Sequence, residues 1–211
     1  MIVSYEHKFI FVKTKKTAGS TLEKLLFPYL DDYDICSGST RDNTPSLGIP
    51  PNTNGHISWR EIKGKYIHPT HFSQWDDYFK FTIERNPWDK MVSAYYWHQK
   101  IKPQQFLGMD FETYCLTCPL IPDDTQLYTD TSNLMNSLMV DKIYKYENMM
   151  KMYNDLNERF GFNITEKEVT GTKLKSDIRK VRDYHDIHTP KTRDMVAKKF
   201  SGTIKLLNYE Y

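Results

Sequence analysis

Two short stretches constrain this chain more than anything else in it. Phe9–Lys13 (FIFVK) is an apolar run of strand length, followed at once by TKKTAGST (Thr14–Thr21) and then by Leu22, Leu25 and Leu26 at helical spacing. Phe79–Glu84 (FKFTIE) repeats the plan, with Arg85 at the turn and Asn86-Pro87-Trp88-Asp89 behind it. Asn suits a helix N-cap, Pro the first helical position and Asp the first turn, so a helix is expected from there to about His98. Lys142–Tyr146 (KIYKY) is a third strand candidate. It precedes Met149, Tyr153, Leu156 and Phe160, a helical stripe closed by Gly161. Strands alternating with helices predict an α/β protein with a central parallel sheet covered on both faces. Right-handed crossovers then bring the strand-to-helix turns to one sheet edge, where ligands bind.

The rest of the chain fits this frame. Its 211 residues suit one domain spanning 1–211, long enough for a core without staples. The opening MIVSYEHKFIFVK reads as a strand rather than a leader, and no run of about 18 apolar residues predicts a membrane span. With 29 Lys and Arg against 27 Asp and Glu, the net charge of +2 argues against a nucleic-acid partner while leaving room for a local basic pocket. Cys36, Cys115 and Cys118 include one lone C-x-x-C, too little for a zinc ribbon; buried thiols in a reducing cytoplasm are expected. Cys36–Gly55 is rich in Ser, Thr, Asn, Gly and Pro and predicts a long loop. Ser58 and Glu61 form a capping-box pattern that should open a helix, and Thr189-Pro190 should open the last one.

The two turns carry the chemistry. In the first, Lys16, Thr17, Ala18, Gly19, Ser20 and Thr21 lie between a strand and a helix. Backbone N–H groups at a helix start face an anion, Gly19 permits close approach, the hydroxyls add donors and Lys16 a positive charge. This is a phosphate cradle without the G-x-x-x-x-G-K-[ST] pattern. In the second, Arg85 ends a core strand, where a magnesium-dependent nucleotide hydrolase would want Asp, and Ser93 lies on the following helix. A cation there suggests a second phosphate bound without metal, although an ordinary salt bridge would also explain Arg85.

On these residues the chain resembles the PAPS-dependent sulfotransferases, which use 3′-phosphoadenosine 5′-phosphosulfate (PAPS) and release 3′-phosphoadenosine 5′-phosphate (PAP). FIFVKTKKTAGSTLEK (Phe9–Lys24) looks like their 5′-phosphosulfate loop and FKFTIERNPWDKMVSAYY (Phe79–Tyr96) like their 3′-phosphate strand and helix. Order and spacing resemble the carbohydrate branch, including the uronyl 2-O-sulfotransferases. Asn54–Ser58 is similar to that branch's catalytic-histidine segment, Lys142–Met149 to a later strand and helix start, and Lys173–Tyr184 to the closing Ser/Arg loop. Lys15 stands where many relatives have Pro, so Lys13, Lys15 and Lys16 compete for one role; Lys16 directly precedes Thr17-Ala18-Gly19 and is assigned it.

The resemblance implies a three-layer fold related to P-loop kinases and sulfuryl transfer from PAPS, with no metal, to an acceptor hydroxyl expected on a carbohydrate. Lys16 and the cradle would stabilise the leaving phosphate, while Arg85, Ser93, Ser176 and Arg179 would hold the 3′-phosphate. His56 would be the base, with His71 and His68 as rivals, and His98, His185 and His188 expected as surface or supporting residues. A magnesium-dependent small-molecule kinase on the same scaffold, and a non-catalytic nucleotide- or glycan-binding module, are the competing expectations.

Overall fold

The computed structural model describes residues 1–39, 43–50, 53–67, 75–118, 120–132, 137–172 and 178–211. Its strands are β1 (Ile2–Ser4), β2 (Phe9–Val12), β3 (Ile35–Cys36), β4 (Phe79–Glu84), β5 (Thr129–Asp130), β6 (Ser137–Leu138) and β7 (Lys142–Lys145). Its helices are α1 (Gly19–Leu26), α2 (Trp59–Tyr66), α3 (Pro87–Ile101), α4 (Pro103–Phe106), α5 (Phe111–Thr117), α6 (Met149–Phe160), α7 (Glu166–Gly171), α8 (Pro190–Lys199) and α9 (Ser201–Leu207). The chain divides into two compact units. The first comprises Met1–Glu84 and Gln126–Leu174, the second Arg85–Thr125 and Lys175–Tyr211.

The first unit holds a five-stranded sheet of order β3-β1-β2-β4-β7. The three strands read from sequence, β2, β4 and β7, pair in parallel, with Val12 opposite Thr82 and Ile83 opposite Tyr144. The other two depart from the all-parallel expectation. β1 is antiparallel to β2 and β3 to β1. Only Tyr5–Lys8 joins β1 to β2, with Lys8 left-handed at φ 54°, and so short a connection can make only a hairpin. Alternation along β2 sends Phe9 and Phe11 to one face, where Leu22 and Leu26 of α1, Met152 and Leu156 of α6 and Val169 of α7 cover them. Ile10 and Val12 point the other way, onto Trp59 and Ile62 of α2. The sheet is thus flanked by helices on both faces. β5 and β6 form a separate antiparallel pair.

Local signals account for the helix ends. Asn86 accepts from the backbone N–H of Trp88 at 3.0 Å and of Asp89 at 3.3 Å, with Pro87 at the first position of α3. Gly161 closes α6 in the left-handed conformation. Ser58 accepts from Glu61 N at 3.3 Å, half of the predicted capping box; the Glu61 carboxylate pairs with Lys65 at 2.6 Å. Thr189 and Thr192 cap each other reciprocally at the start of α8. The segment predicted as loop from Cys36 is pinned in part, by bridges from Cys36 to Leu47 and from Ser39 to Thr44.

The second unit is helical around α3. Trp88, Met91, Val92 and Tyr95 pack with Phe106, Phe111 and Tyr114 and with Val196 and Phe200. Inside it, Lys90 and Asp124 form a fully buried ion pair at 2.8 Å. His98, expected as a surface or supporting residue, is instead core. It is 6% exposed, its Nδ1 lies 2.7 Å from Tyr114 Oη, and its ring stacks on Phe106. Cys115 and Cys118 are buried free thiols, and burial pushes Cys115 up to about 12.

Candidate functional site

The first turn is shaped by backbone conformation more than by side-chain caps. β2 ends at Val12, and Thr14 ties the chain beyond it to β4 by donating its hydroxyl to the carbonyl of Ile83. Thr82 does the reverse, donating to Val12 O at 2.7 Å. Thr17 is fully buried, its hydroxyl 2.9 Å from that of Thr14, so its side chain holds the loop's shape. Lys16 and Ala18 both sit at φ 62°. Left-handed residues two apart, with a right-handed helix start beyond, turn successive N–H groups toward one concavity, an arrangement that suits an anion. α1 then begins at Gly19 with Ala18 as N-cap, which supplies no side-chain acceptor, and its first turn carries no acidic residue. A phosphate oxygen fits the donors such a helix start presents. Ser20 and Thr21 stand in that first turn, Ser20 partly exposed and Thr21 buried.

Gly19 is glycine for a steric reason. A Cβ there would meet Lys13 Cγ at 2.8 Å and Cε at 3.0 Å. Lys13 crosses the helix start because its Nζ reaches Glu23 Oε2 at 2.6 Å. Glu23, on α1 and fully buried, also accepts from the Met1 amine at 2.5 Å and from Ser37 Oγ at 2.5 Å. Burial would raise the Glu23 carboxyl, but the Met1 amine and Lys13 outweigh it and hold it at about 2. Burial draws the Met1 amine itself down to about 6 against the pull of Glu23. Of the three competing lysines, Lys13 is 6% exposed and turned toward Glu23, while Lys15 and Lys16 are partly exposed.

His56 belongs to the same unit and meets this turn through the backbone. Its Nδ1 lies 3.0 Å from the carbonyl oxygen of Lys13. A carbonyl can only accept, so Nδ1 carries the proton and donates, and in the neutral ring Nε2 is the basic nitrogen. Asn54 shapes the approach by accepting from His56 N at 3.1 Å. Gly55 leaves room for Ser37, whose hydroxyl a Cβ at that position would strike. Glu23 and Ser37 were not singled out from sequence. The readable trace is an acid on the apolar side of α1, four residues beyond Gly19.

In the second unit Arg85 is 7% exposed and its Nε donates to Asp89 Oδ2 at 2.6 Å. Arg179 donates from Nη1 to the other oxygen of Asp89 and from Nε to Val181 O. Arg179 Nη2 is buried with no hydrogen-bond partner among the described residues. Ser93 follows Asp89 by one helical turn on the same face of α3, and Tyr96 is close enough to Arg179 to feel its charge. Asn86 Nδ2 donates to Glu210 O at 3.1 Å and to Tyr184 Oη at 3.3 Å, tying the Tyr184 and Glu210 segments to the start of α3. Thus Arg85 and Arg179 are brought together through Asp89, which sequence had marked only as a helix-start residue. Ser176, His68 and His71 lie outside the described residues. His188 is half-buried, with Nε2 3.2 Å from Trp88 O; burial lowers its pKa, and that contact opposes the shift.

Among the described residues, no group of three or more His, Cys, Asp or Glu side chains is placed to hold a metal ion. No described helix is long and apolar enough to cross a membrane.

Three comparisons with known proteins bear on the family. No curated protein matches the chain. Among solved structures, mouse sulfotransferase SULT7A1 complexed with PAP aligns over 97% of this chain and 87% of its own, with a TM-score of 0.55 and 15% sequence identity, a likeness of fold. The sequence profile described as "Sulfotransferase family" matches residues 1–169. That match takes in the cradle, His56, Arg85 and Ser93, and on its extent the chain belongs to the sulfotransferase family.

Proposed function

We propose that the chain, working as one domain over residues 1–211, transfers the sulfuryl group of PAPS to an acceptor hydroxyl on a carbohydrate. The observation that carries this reading is the first turn. A helix start without a side-chain cap, entered through left-handed Lys16 and Ala18, lies in the same unit as a histidine whose Nδ1 is fixed as a donor. PAPS, when bound, supplies the sulfuryl group and a phosphate leaving group.

His56 Nε2 takes the proton of the acceptor hydroxyl as the new S–O bond forms. Lys16, Ser20, Thr21 and the N–H groups of Ala18 and Gly19 meet the negative charge that grows on the 5′-phosphate as the old S–O bond breaks. Thr17 keeps the loop in shape from beneath. Arg85, Ser93 and Arg179, with Ser176, take the 3′-phosphate. Arg179 Nη2, buried with no hydrogen-bond partner among the described residues, is a donor that a phosphate oxygen would satisfy. The guanidinium forks and amide donors need no metal to hold such anions. Three free cysteines agree with a reducing cytoplasm.

Calorimetric titration with PAP in EDTA, with ATP and adenosine 5′-phosphate in parallel, tests the reading. Tight, metal-independent binding that requires the 3′-phosphate is expected. Magnesium-dependent ATP binding with no response to PAP would overturn it in favour of a kinase. Transfer assays from PAPS to glycans, phenols and amines then test the acceptor class; transfer to phenols alone would remove the carbohydrate.

A further inference from the structure

Asp89 stands in the first turn of α3, where a carboxylate already suits the helix dipole. Its two oxygens are divided between two guanidinium groups. Oδ2 accepts from Arg85 Nε at 2.6 Å and Oδ1 accepts from Arg179 Nη1, a residue 90 positions away in sequence. All three side chains are largely withdrawn from solvent, at 9% exposure for Arg85, 15% for Asp89 and 18% for Arg179. A guanidinium is a rigid plane with its donors in a fixed fork, so fixing one or two of them aims the rest. For Arg179, Nε and Nη1 are both committed, to Val181 O and to Asp89, and the remaining Nη2 is the buried atom with no partner among the described residues. A charged donor left unmet in a buried setting is costly unless an anion completes it.

We propose that Asp89 is a positioning residue for the 3′-phosphate: one carboxylate that holds Arg85 and Arg179 together as a preassembled pair of forks. This rests on the reading that the second turn takes that phosphate. Two effects of Asp89 oppose each other. It orients both cations, which strengthens phosphate binding, and its own negative charge repels the phosphate, which weakens it. The geometry favours orientation, because bidentate capture depends on the plane of each guanidinium, and because two cations beside one anion leave a net positive charge.

The test is titration of wild type, Asp89→Asn and Asp89→Glu with PAP and with adenosine 5′-phosphate, alongside Arg179→Ala and the Asp89→Asn/Arg179→Ala double variant. Asn has one carbonyl oxygen and can serve one arginine, so PAP affinity should fall by about tenfold or more, the usual scale for losing an orienting partner. Adenosine 5′-phosphate binding should stay unchanged, a separation that a merely structural role would not give. Asp89→Glu keeps the charge but shifts both guanidinium groups, so it too should lose PAP affinity, and it serves as the test if Asp89→Asn does not fold. In the Arg179→Ala background the effect of Asp89→Asn should shrink. Equal or tighter PAP binding by Asp89→Asn, in a protein whose wild type prefers PAP, would overturn the role of Asp89 and leave the 3′-phosphate reading standing. A wild type that does not distinguish PAP from adenosine 5′-phosphate would remove that reading and the proposal with it.

Discussion

The turn after β2 and the turn after β4 solve the same problem with opposite means. Both follow a buried strand and open a helix. At α1 the cap residue is Ala18, left-handed and without a side-chain acceptor, and the helix N–H groups face whatever enters. At α3 the cap is Asn86, whose amide oxygen takes two of those N–H groups, with Pro87 removing a third and Asp89 placing a carboxylate in the first turn. A helix start satisfied in this way has little left to offer an anion. On the function proposed above, anion binding there falls to side chains, Arg85 and Arg179, which Asp89 pairs with. The lesson is that a polar cap and an anion compete for the same donors, and the two turns resolve that competition in opposite ways.

The comparison can be broken in several places. Lys16→Ala removes the cation from the uncapped turn and should lower transfer from PAPS by about 10²- to 10³-fold, the scale for losing one stabiliser of transition-state charge. An unchanged rate would pass the role to Lys15. Arg85→Ala should weaken PAP binding about 10- to 100-fold by calorimetry, since charge-assisted hydrogen bonds contribute about 1.5–3 kcal/mol. If affinity holds, the capped turn is structural only. Gly19→Ala forces a methyl against Lys13, which its bond to Glu23 prevents from yielding, and should cost about 1–3 kcal/mol in urea unfolding. Asn86→Ala should cost about 1 kcal/mol, measured the same way, the usual loss for a cap.

The contribution of Glu23 is full at neutral pH and fades in acid. Its carboxyl is held at about 2, below the ordinary value of 4.5, so it stabilises the fold fully above about pH 4.5 and loses that contribution as pH falls toward 2. Over that window the Met1 amine is protonated whether the chain is folded or not. Unfolding free energies of wild type and Glu23→Gln, followed from pH 5 to pH 2.5, should therefore converge. Parallel curves would mean that Glu23 is not the titrating group.

Much of this architecture was legible because local signals agreed with one another. The three parallel strands, the Asn86-Pro87 start of α3, the Gly161 stop of α6 and the Thr189 cap each depend on a few adjacent residues. The opening was readable as strand, but its division into the antiparallel pair β1 and β2 depends on how tightly Tyr5–Lys8 turns, which a polar four-residue stretch does not announce. α7 carried a readable capping box at Thr165 and Glu168 that apolar periodicity alone passed over. In the candidate site, residues defined by chain neighbours were visible: the cradle, Arg85, His56 before its helix. Those defined by distant partners were not. Glu23 meets Ser37 and Lys13 across 14 and 10 positions, and Asp89 meets Arg179 across 90, distances over which periodicity carries no information.

The contact between His56 and the Lys13 carbonyl has one more consequence, for mutational robustness. The acceptor that fixes the histidine's tautomer is main chain, and every amino acid at position 13 supplies it. On the proposed role of His56, random mutagenesis should find losses of activity at His56 itself, while substitutions at position 13 should surface as folding defects through Glu23. No side-chain replacement at position 13 can delete that hydrogen bond, so changing the tautomer of His56 from there would require moving the path of the backbone.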